Sequence, residues 1–240
     1  MATLLKYSSI LGIWVGLFYL SFTMFSSRDE EDLLRIQKAL TSSQAWRSYS
    51  STQTVEFDNK EELRIRSISQ QDPYSVWVTS KAKLTDTEDF QFEVYFQPEV
   101  IYVHTLNSNT WNKTDYTSSV AGELQGLKDP FSFWLRLLKS AHTIEKREDG
   151  NRGSYFSVKL KPFRDEVHGI RFEDVETAVM HVWTRNEPVG IQKMELNMRL
   201  KPNIIRRYDQ ITYRIQFSDI NQSKGITLPQ EAKSAQKINK

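Results

Sequence analysis

"IQKMELNMRL", residues 191–200, places Met194, Leu196, Met198 and Leu200 on one side of an extended chain and Lys193, Glu195, Asn197 and Arg199 on the other. Side chains alternate faces along a strand, so this segment reads as a strand with one face in a core and the other in water. The same period of two recurs along the chain. "TQTVEFD", "ELRIRSIS", "YSVWVTS", "DFQFEVYF" and "EVIYVHT" follow one another closely in the first half, and "SYFSVKL", "ETAVMHVWTR" and "QITYRIQFSD" occur in the second. Each is rich in β-branched or aromatic residues, and turn-like stretches such as Asp58-Asn59 and Asp72-Pro73 separate them. Consecutive strands of this kind pair antiparallel, and so many of them form a sheet that must curl. The expected class is mainly β, of the α+β type.

Two segments break the period. "EEDLLRIQKAL" places Leu33, Ile36 and Leu40 on one helical face and predicts a short helix. "DPFSFWLRLLKSA" opens with Asp129 and with Pro130 at a position suited to a first helical turn, then presents Phe131, Trp134, Leu135 and Leu138 at helical spacing. Phe133 and Leu137 widen that apolar surface, so this helix is expected to lie buried against the sheet. "PFRDEVHGIRFEDVE" reads either as a turn of helix or as an irregular connection.

Ahead of the domain, "KYSSILGIWVGLFYLSFTMFSSRDEED", residues 6–32, carries no charge from Tyr7 to Ser27. That length suffices for a membrane-crossing helix, which needs about 20 apolar residues. A single preceding Lys6 and the lack of a small-residue cleavage site favour an uncleaved anchor over a cleaved signal or a buried core helix. The basic residues Arg28, Arg35, Lys38 and Arg47 after the run lean toward retaining the domain inside, whereas a long folded domain is translocated largely regardless of its charge. The expected organisation is an anchor at 1–28, a short juxtamembrane helix at 29–47 and a domain at 48–240.

Charge and composition narrow the function. Lys+Arg of 32 against Asp+Glu of 30 gives a net charge of +2 with no basic block, which argues against a nucleic-acid partner. The absence of Cys excludes disulfides, cysteine metal sites, thiol nucleophiles and a cysteine-attached lipid. The four histidines are dispersed, and no Gly-rich phosphate loop or nucleophile elbow occurs. "RDEVHGIRFED" gathers Asp165, Glu166, His168, Glu173 and Asp174, but polar residues clustered in a connection are more often a solvated loop than an acid–base or metal site. No catalytic residue, cofactor or metal is therefore assigned. Trp77, Tyr102, Trp111, Phe131, Phe133, Trp134, Trp183, Met194 and Met198 remain as residues that either line an apolar cavity in a curled sheet or fill its core.

Four landmarks carry a family resemblance. "YFQPEVIYVHTLNSNTWNKTD" is a strand-turn-strand ending in Trp111 and Lys113, followed by "DPFSFWLRLL" with its Asp129-Pro130 start. Then come "VMHVWTRNEPVGIQKMELNMRL", a strand pair with Pro188 in its turn, and "FSDINQSKGITLPQEAK", whose Ile226, Leu228, Pro229 and Ala232 form a short tail. Together they resemble the LolA/LppX/RseB-type superfamily, outer-membrane lipoprotein carrier-like proteins of the bacterial cell envelope. The resemblance implies a strongly curved antiparallel half-barrel with covering helices, placed outside the cytoplasm. It further implies a non-enzymatic module that captures or senses a lipid, an acyl chain or a lipidated protein in a concave apolar cavity. Phe131, Phe133, Trp134 and Leu138 would cover the mouth of that cavity, Met194 and Met198 would line its floor, and Tyr102 and Trp111 would complete the ligand-binding set. The alternatives are a scaffold or regulator of a membrane or envelope protein and, more weakly, an enzyme. In place of the lipid-bearing Cys of the family's lipoproteins, this chain has the apolar run 7–27, which favours local capture or sensing over shuttling between membranes.

Overall fold

The computed structural model describes residues 29–85, 87–148, 153–204, 206–222 and 225–238. The apolar run Tyr7–Ser27 lies outside these residues, and among those described no helix is long and apolar enough to cross a membrane. The described chain opens with helix α1 (29–44). Strands β1 (Ser48–Phe57), β2 (Lys60–Gln71), β3 (Tyr74–Lys83), β4 (Asp89–Phe96), β5 (Ile101–Thr105) and β6 (Thr110–Thr114) follow, then helices α2 (Ser119–Lys128) and α3 (Ser132–Leu138). The second half holds β7 (Ala141–Glu148), β8 (Ser154–Leu160), the short β9 (Asp165–Val167) and β10 (Ile170–Phe172), and the long β11 (Val175–Asn186), β12 (Val189–Leu200) and β13 (Gln210–Ser218). A 3₁₀ turn, Gln230–Ser234, leads to β14 (Gln236–Lys237).

One 12-stranded sheet runs in the order β14-β6-β5-β4-β3-β2-β1-β13-β12-β11-β8-β7. Its two halves are each built from near neighbours in sequence, and β1 joins them by pairing with β2 on one side and β13 on the other. The two ends, β14 and β7, do not pair, so the sheet stays open. Both edges are guarded. At one end β14 runs parallel to β6, Ile238 N–H donates to the Lys113 carbonyl at 2.9 Å, and Ala232 is fully buried, so the tail landmark straps that edge. At the other, β7 carries Glu145, Lys146 and Arg147, charges that discourage strand addition.

The period of two behaves as expected in β12. Met194, Leu196, Met198 and Leu200 are buried, whereas Lys193, Glu195 and Asn197 face outward. There Glu195 meets Lys193 and Arg214 at 2.8 Å each, and Arg214 reaches Glu56 at 3.1 Å. Burial pushes the Glu195 carboxyl up, but hydrogen bonds from Lys193, Arg214 and Asn197 outweigh it and hold the pKa at about 2.

Helix α1 covers the inner face through Ile36 and Leu40 of the expected stripe, with Leu33 only partly buried and Ala39 buried in addition. It docks where β12 begins. Ser43 Oγ accepts from Ile191 N–H and donates to the Ala39 carbonyl, both at 2.8 Å, and Trp46 lies against Gly190 so closely that a Cβ there would sit 2.2 Å from the indole. The apolar helix expected from Asp129 is present but shorter, since it begins at Ser132. Helix α2 precedes it unannounced, because Gly122 and Gly126 dilute its helical pattern. "PFRDEVHGIRFEDVE", left between a helical turn and an irregular connection, forms the β9–β10 hairpin.

Candidate functional site

Asp129 ends α2 and starts α3. Its carboxylate accepts from the backbone N–H groups of Phe131 at 2.9 Å and Ser132 at 3.2 Å and from the Ser132 hydroxyl, fixing the turn that lays α3 across the sheet. Trp134 stacks on Tyr213 of β13, with ring centres 5.0 Å apart and planes 10° from parallel. Phe133 meets Tyr213 edge-on and leans on Phe172 of β10, while Phe131 stacks on Phe217 and touches Trp46 and Tyr49. Phe131, Phe133, Trp134 and Leu138 thus meet the strand residues of the inner face, where Met194 and Met198 also lie, in one packed core. Trp134 and Met194 have no exposed surface at all.

Tyr102 and Trp111 stand apart from these six. Ile101 is buried and Val103 shares its face, so the alternation turns Tyr102 and His104 outward, opposite Lys113 and Trp111 of β6. Trp111 stacks on His104 at 4.2 Å and approaches Tyr95, itself beside Trp77, which makes an aromatic ladder on the outer face. Tyr102 instead borders an open depression of about 540 Å³ shared with Val100, Ile226 and Leu228.

A cavity of about 250 Å³ opens beneath the helices, between Gln125 and Gly126 of α2, Phe133 and Arg136 of α3, His168 of the hairpin, and Tyr213. The charges at its rim are engaged. Arg136 forms a two-pronged pair with Asp165 at 2.9 and 3.1 Å, Glu166 pairs with Arg171 at 3.1 Å, and Asp129 accepts from the backbone of the turn ahead of α3. His168 and Gly169 form the two-residue turn of the hairpin with φ of 53° and 78°, the type I′ pattern, which aims the imidazole inward. His168 Nε2 lies 2.9 Å from Gln53 Oε1, and the Tyr213 hydroxyl donates to the same oxygen. Burial lowers the His168 pKa to about 4, so the ring is neutral at physiological pH. Behind this cluster the inner face of β1 and β2 carries buried Ser51, Ser67 and Ser69, with the Ser51 and Ser67 hydroxyls 2.7 Å apart.

The polar candidates of "RDEVHGIRFED" are therefore dispersed into separate pairs. Asp165, Glu166 and Asp174 bond to Arg136, Arg171 and Arg206, and only His168 turns into the fold. Among the described residues no group of three or more His, Cys, Asp or Glu gathers as a metal site. Gln53 and Tyr213, the partners of His168, went unnoticed in the sequence. The available signal was local: "SSTQTVEF" puts Ser51 and Gln53 on the same face as Val55, polar groups on a face meant for a core.

No family model and no curated protein matches this chain in sequence. Solved structures do resemble it. The lipoprotein LppX of Mycobacterium tuberculosis superposes with a TM-score of 0.50 at 10% identity, over 83% of this chain and 100% of that one. LprF from Mycobacterium bovis gives 0.47 at 11% identity, over 83% and 96%. The likeness to LppX is one of fold, a large antiparallel sheet with a few helices, the architecture that the four sequence landmarks led us to expect.

Proposed function

We propose that this domain is a non-enzymatic binding module that captures an amphiphile, a lipid, an acyl chain or a lipidated protein, beneath α2 and α3. It is held outside the cytoplasm by an uncleaved helix over Tyr7–Ser27, with 1–28 as anchor and α1 packed as part of the binding domain that follows. The observation that carries the reading is the cavity under the helices, apolar at Phe133 and Tyr213 and polar at Gln125 and His168. A mixed lining suits a molecule with two chemical ends. Its volume of about 250 Å³ is below the roughly 300–1,000 Å³ of usual ligand sites, so a long chain enters only when α3 lifts and the Trp134–Tyr213 stack opens. Phe131, Phe133, Trp134 and Leu138 then act as the underside of a lid, with Met194 and Met198 below.

The test is native mass spectrometry of the full chain, extracted from its membranes in mild detergent. An adduct with the mass of an acyl-bearing molecule is expected. Bare protein with an intact fold, from membranes of several lipid compositions, overturns the reading. A second reading, recognition of an envelope protein, is favoured by the outer aromatic ladder of Trp77, Tyr95, His104 and Trp111, with Tyr102 paired opposite Tyr95. Under that reading Trp111→Ala and Tyr102→Ala abolish the cellular phenotype while any bound amphiphile stays in place.

A further inference from the structure

Polar atoms without partners are rare inside proteins, and each calls for an explanation. Here three nitrogens of side chains around Tyr213, His168 Nδ1, Gln53 Nε2 and Trp134 Nε1, are shut off from solvent and have no hydrogen-bond partner. Gln53 is 1% exposed and Trp134 0%. Because Gln53 Oε1 already accepts from the Tyr213 hydroxyl, His168 contacts it as an Nε2–H donor at 2.9 Å. That assignment leaves Nδ1 as a bare acceptor, and the Gln53 amide and Trp134 indole as donors. The bare acceptor lies under glycine: a Cβ at Gly126 would be 4.0 Å from His168 Nδ1, so α2 crosses the imidazole with no side chain of its own at that point.

We infer that His168 and Gln53 form a polar subsite for an uncharged hydroxyl group, the head of the amphiphile captured under α2 and α3. A hydroxyl donates to the bare Nδ1, since His168 lines the cavity, while Gln53 holds the other ring nitrogen and fixes the tautomer. A charged head is disfavoured from both sides. The imidazole is neutral, and each charged residue of the lining is already engaged, Arg136 by Asp165, Glu166 by Arg171 and Asp129 by the backbone N–H groups ahead of α3. The seam of buried Ser51, Ser67 and Ser69 continues hydroxyl chemistry along the same inner face. The hairpin turn adds a second sign. His168 holds a left-handed φ of 53°, where glycine is easier, and the imidazole it brings inside is the one feature glycine lacks.

This subsite rests on the amphiphile-capture reading, and the experiment separates the two. The full chain, held in amphipol and loaded with a hydrophobic fluorescent probe, is titrated with monolauroylglycerol, methyl laurate and lauryl phosphate. Chain length is shared, so the ratio of affinities reports the head. Monolauroylglycerol is expected to displace the probe about tenfold more tightly than methyl laurate, as one or two added hydrogen bonds allow. His168→Gly, which keeps the turn, and Gln53→Leu should each reduce that ratio to about twofold or less. A ratio within one variant is insensitive to partial loss of folded protein. Equal binding of the two neutral compounds, or a preference that survives both substitutions, overturns the subsite and leaves apolar capture standing. Tighter binding of lauryl phosphate overturns the uncharged head. Displacement by none of the three overturns the subsite and the capture reading alike.

Discussion

Trp134 concentrates the tension between packing and binding in a single side chain. It is fully buried and stacked on Tyr213, so Trp134→Ala removes fixed partners and leaves a cavity. A loss of about 3–5 kcal/mol is expected by thermal melting, comparable with Leu196→Ala on the same inner face. Trp134→Phe should cost far less, because it keeps a ring on Tyr213 and removes an indole N–H that has no partner. A Trp134→Ala variant that melts within about 1 kcal/mol of the parent would show that α3 is already loose in the empty protein. His168 gives a pH prediction with a definite sign. Its folded pKa of about 4 lies below the unfolded value of 6.5, so acidification protonates the unfolded chain first. This contribution is complete above about pH 6.5 and is lost as pH falls toward 4, amounting to up to about 3 kcal/mol. In His168→Gly the slope of stability against pH between 6.5 and 4 should flatten, measured by denaturant unfolding at a series of pH values.

At the scale of elements, legibility followed the period of the pattern. The long strands were readable because every second residue reports the same face, and Met194 to Leu200 sit as that pattern required. Helix α3 was readable from its apolar spacing, but its start was not: Asp129 spends its carboxylate on a turn, and the helix begins only at Ser132. Helix α2 and strand β7 were missed, the first because of its glycines and the second because charged residues fill positions that a buried strand would give to apolar ones. The docking of α1 was also invisible, since it depends on Gly190, which follows Val189, itself 143 residues from the tryptophan that both contact. Gly190→Ala should therefore force Trp46 away and destabilise the domain by about 1–3 kcal/mol, with a matching change in tryptophan fluorescence. An unchanged melting temperature would mean that α1 is not held at this contact.

For the molecule as a whole, an open sheet survives only if its edges are covered, and the tail from Ile226 to Ile238 covers β6. Deleting the chain after Gly225 should expose the Thr110–Thr114 edge and cause self-association, visible as larger species in size-exclusion chromatography. A deletion variant that stays the parent's size would show that β14 is dispensable. The sequence by itself determined the strand-rich class, which faces of those strands are apolar, the existence of α1 and α3, and the landmarks of an LppX-type fold. The class, the faces and the helices are properties of neighbouring residues, set by the two-residue and 3.6-residue periods of the backbone, whereas the landmarks are a family resemblance. Only the tertiary structure decided that β1 pairs with β13, that Tyr102 and Trp111 stand on the opposite face from Phe133 and Trp134, and that Gln53, His168 and Tyr213 meet. Those three come from strands and a turn 115 and 160 residues apart, and their hydrogen bonds exist only because the sheet and its helices exclude water there. A local pattern records which way a side chain points, and it carries no information about what arrives from the far end of the chain to meet it.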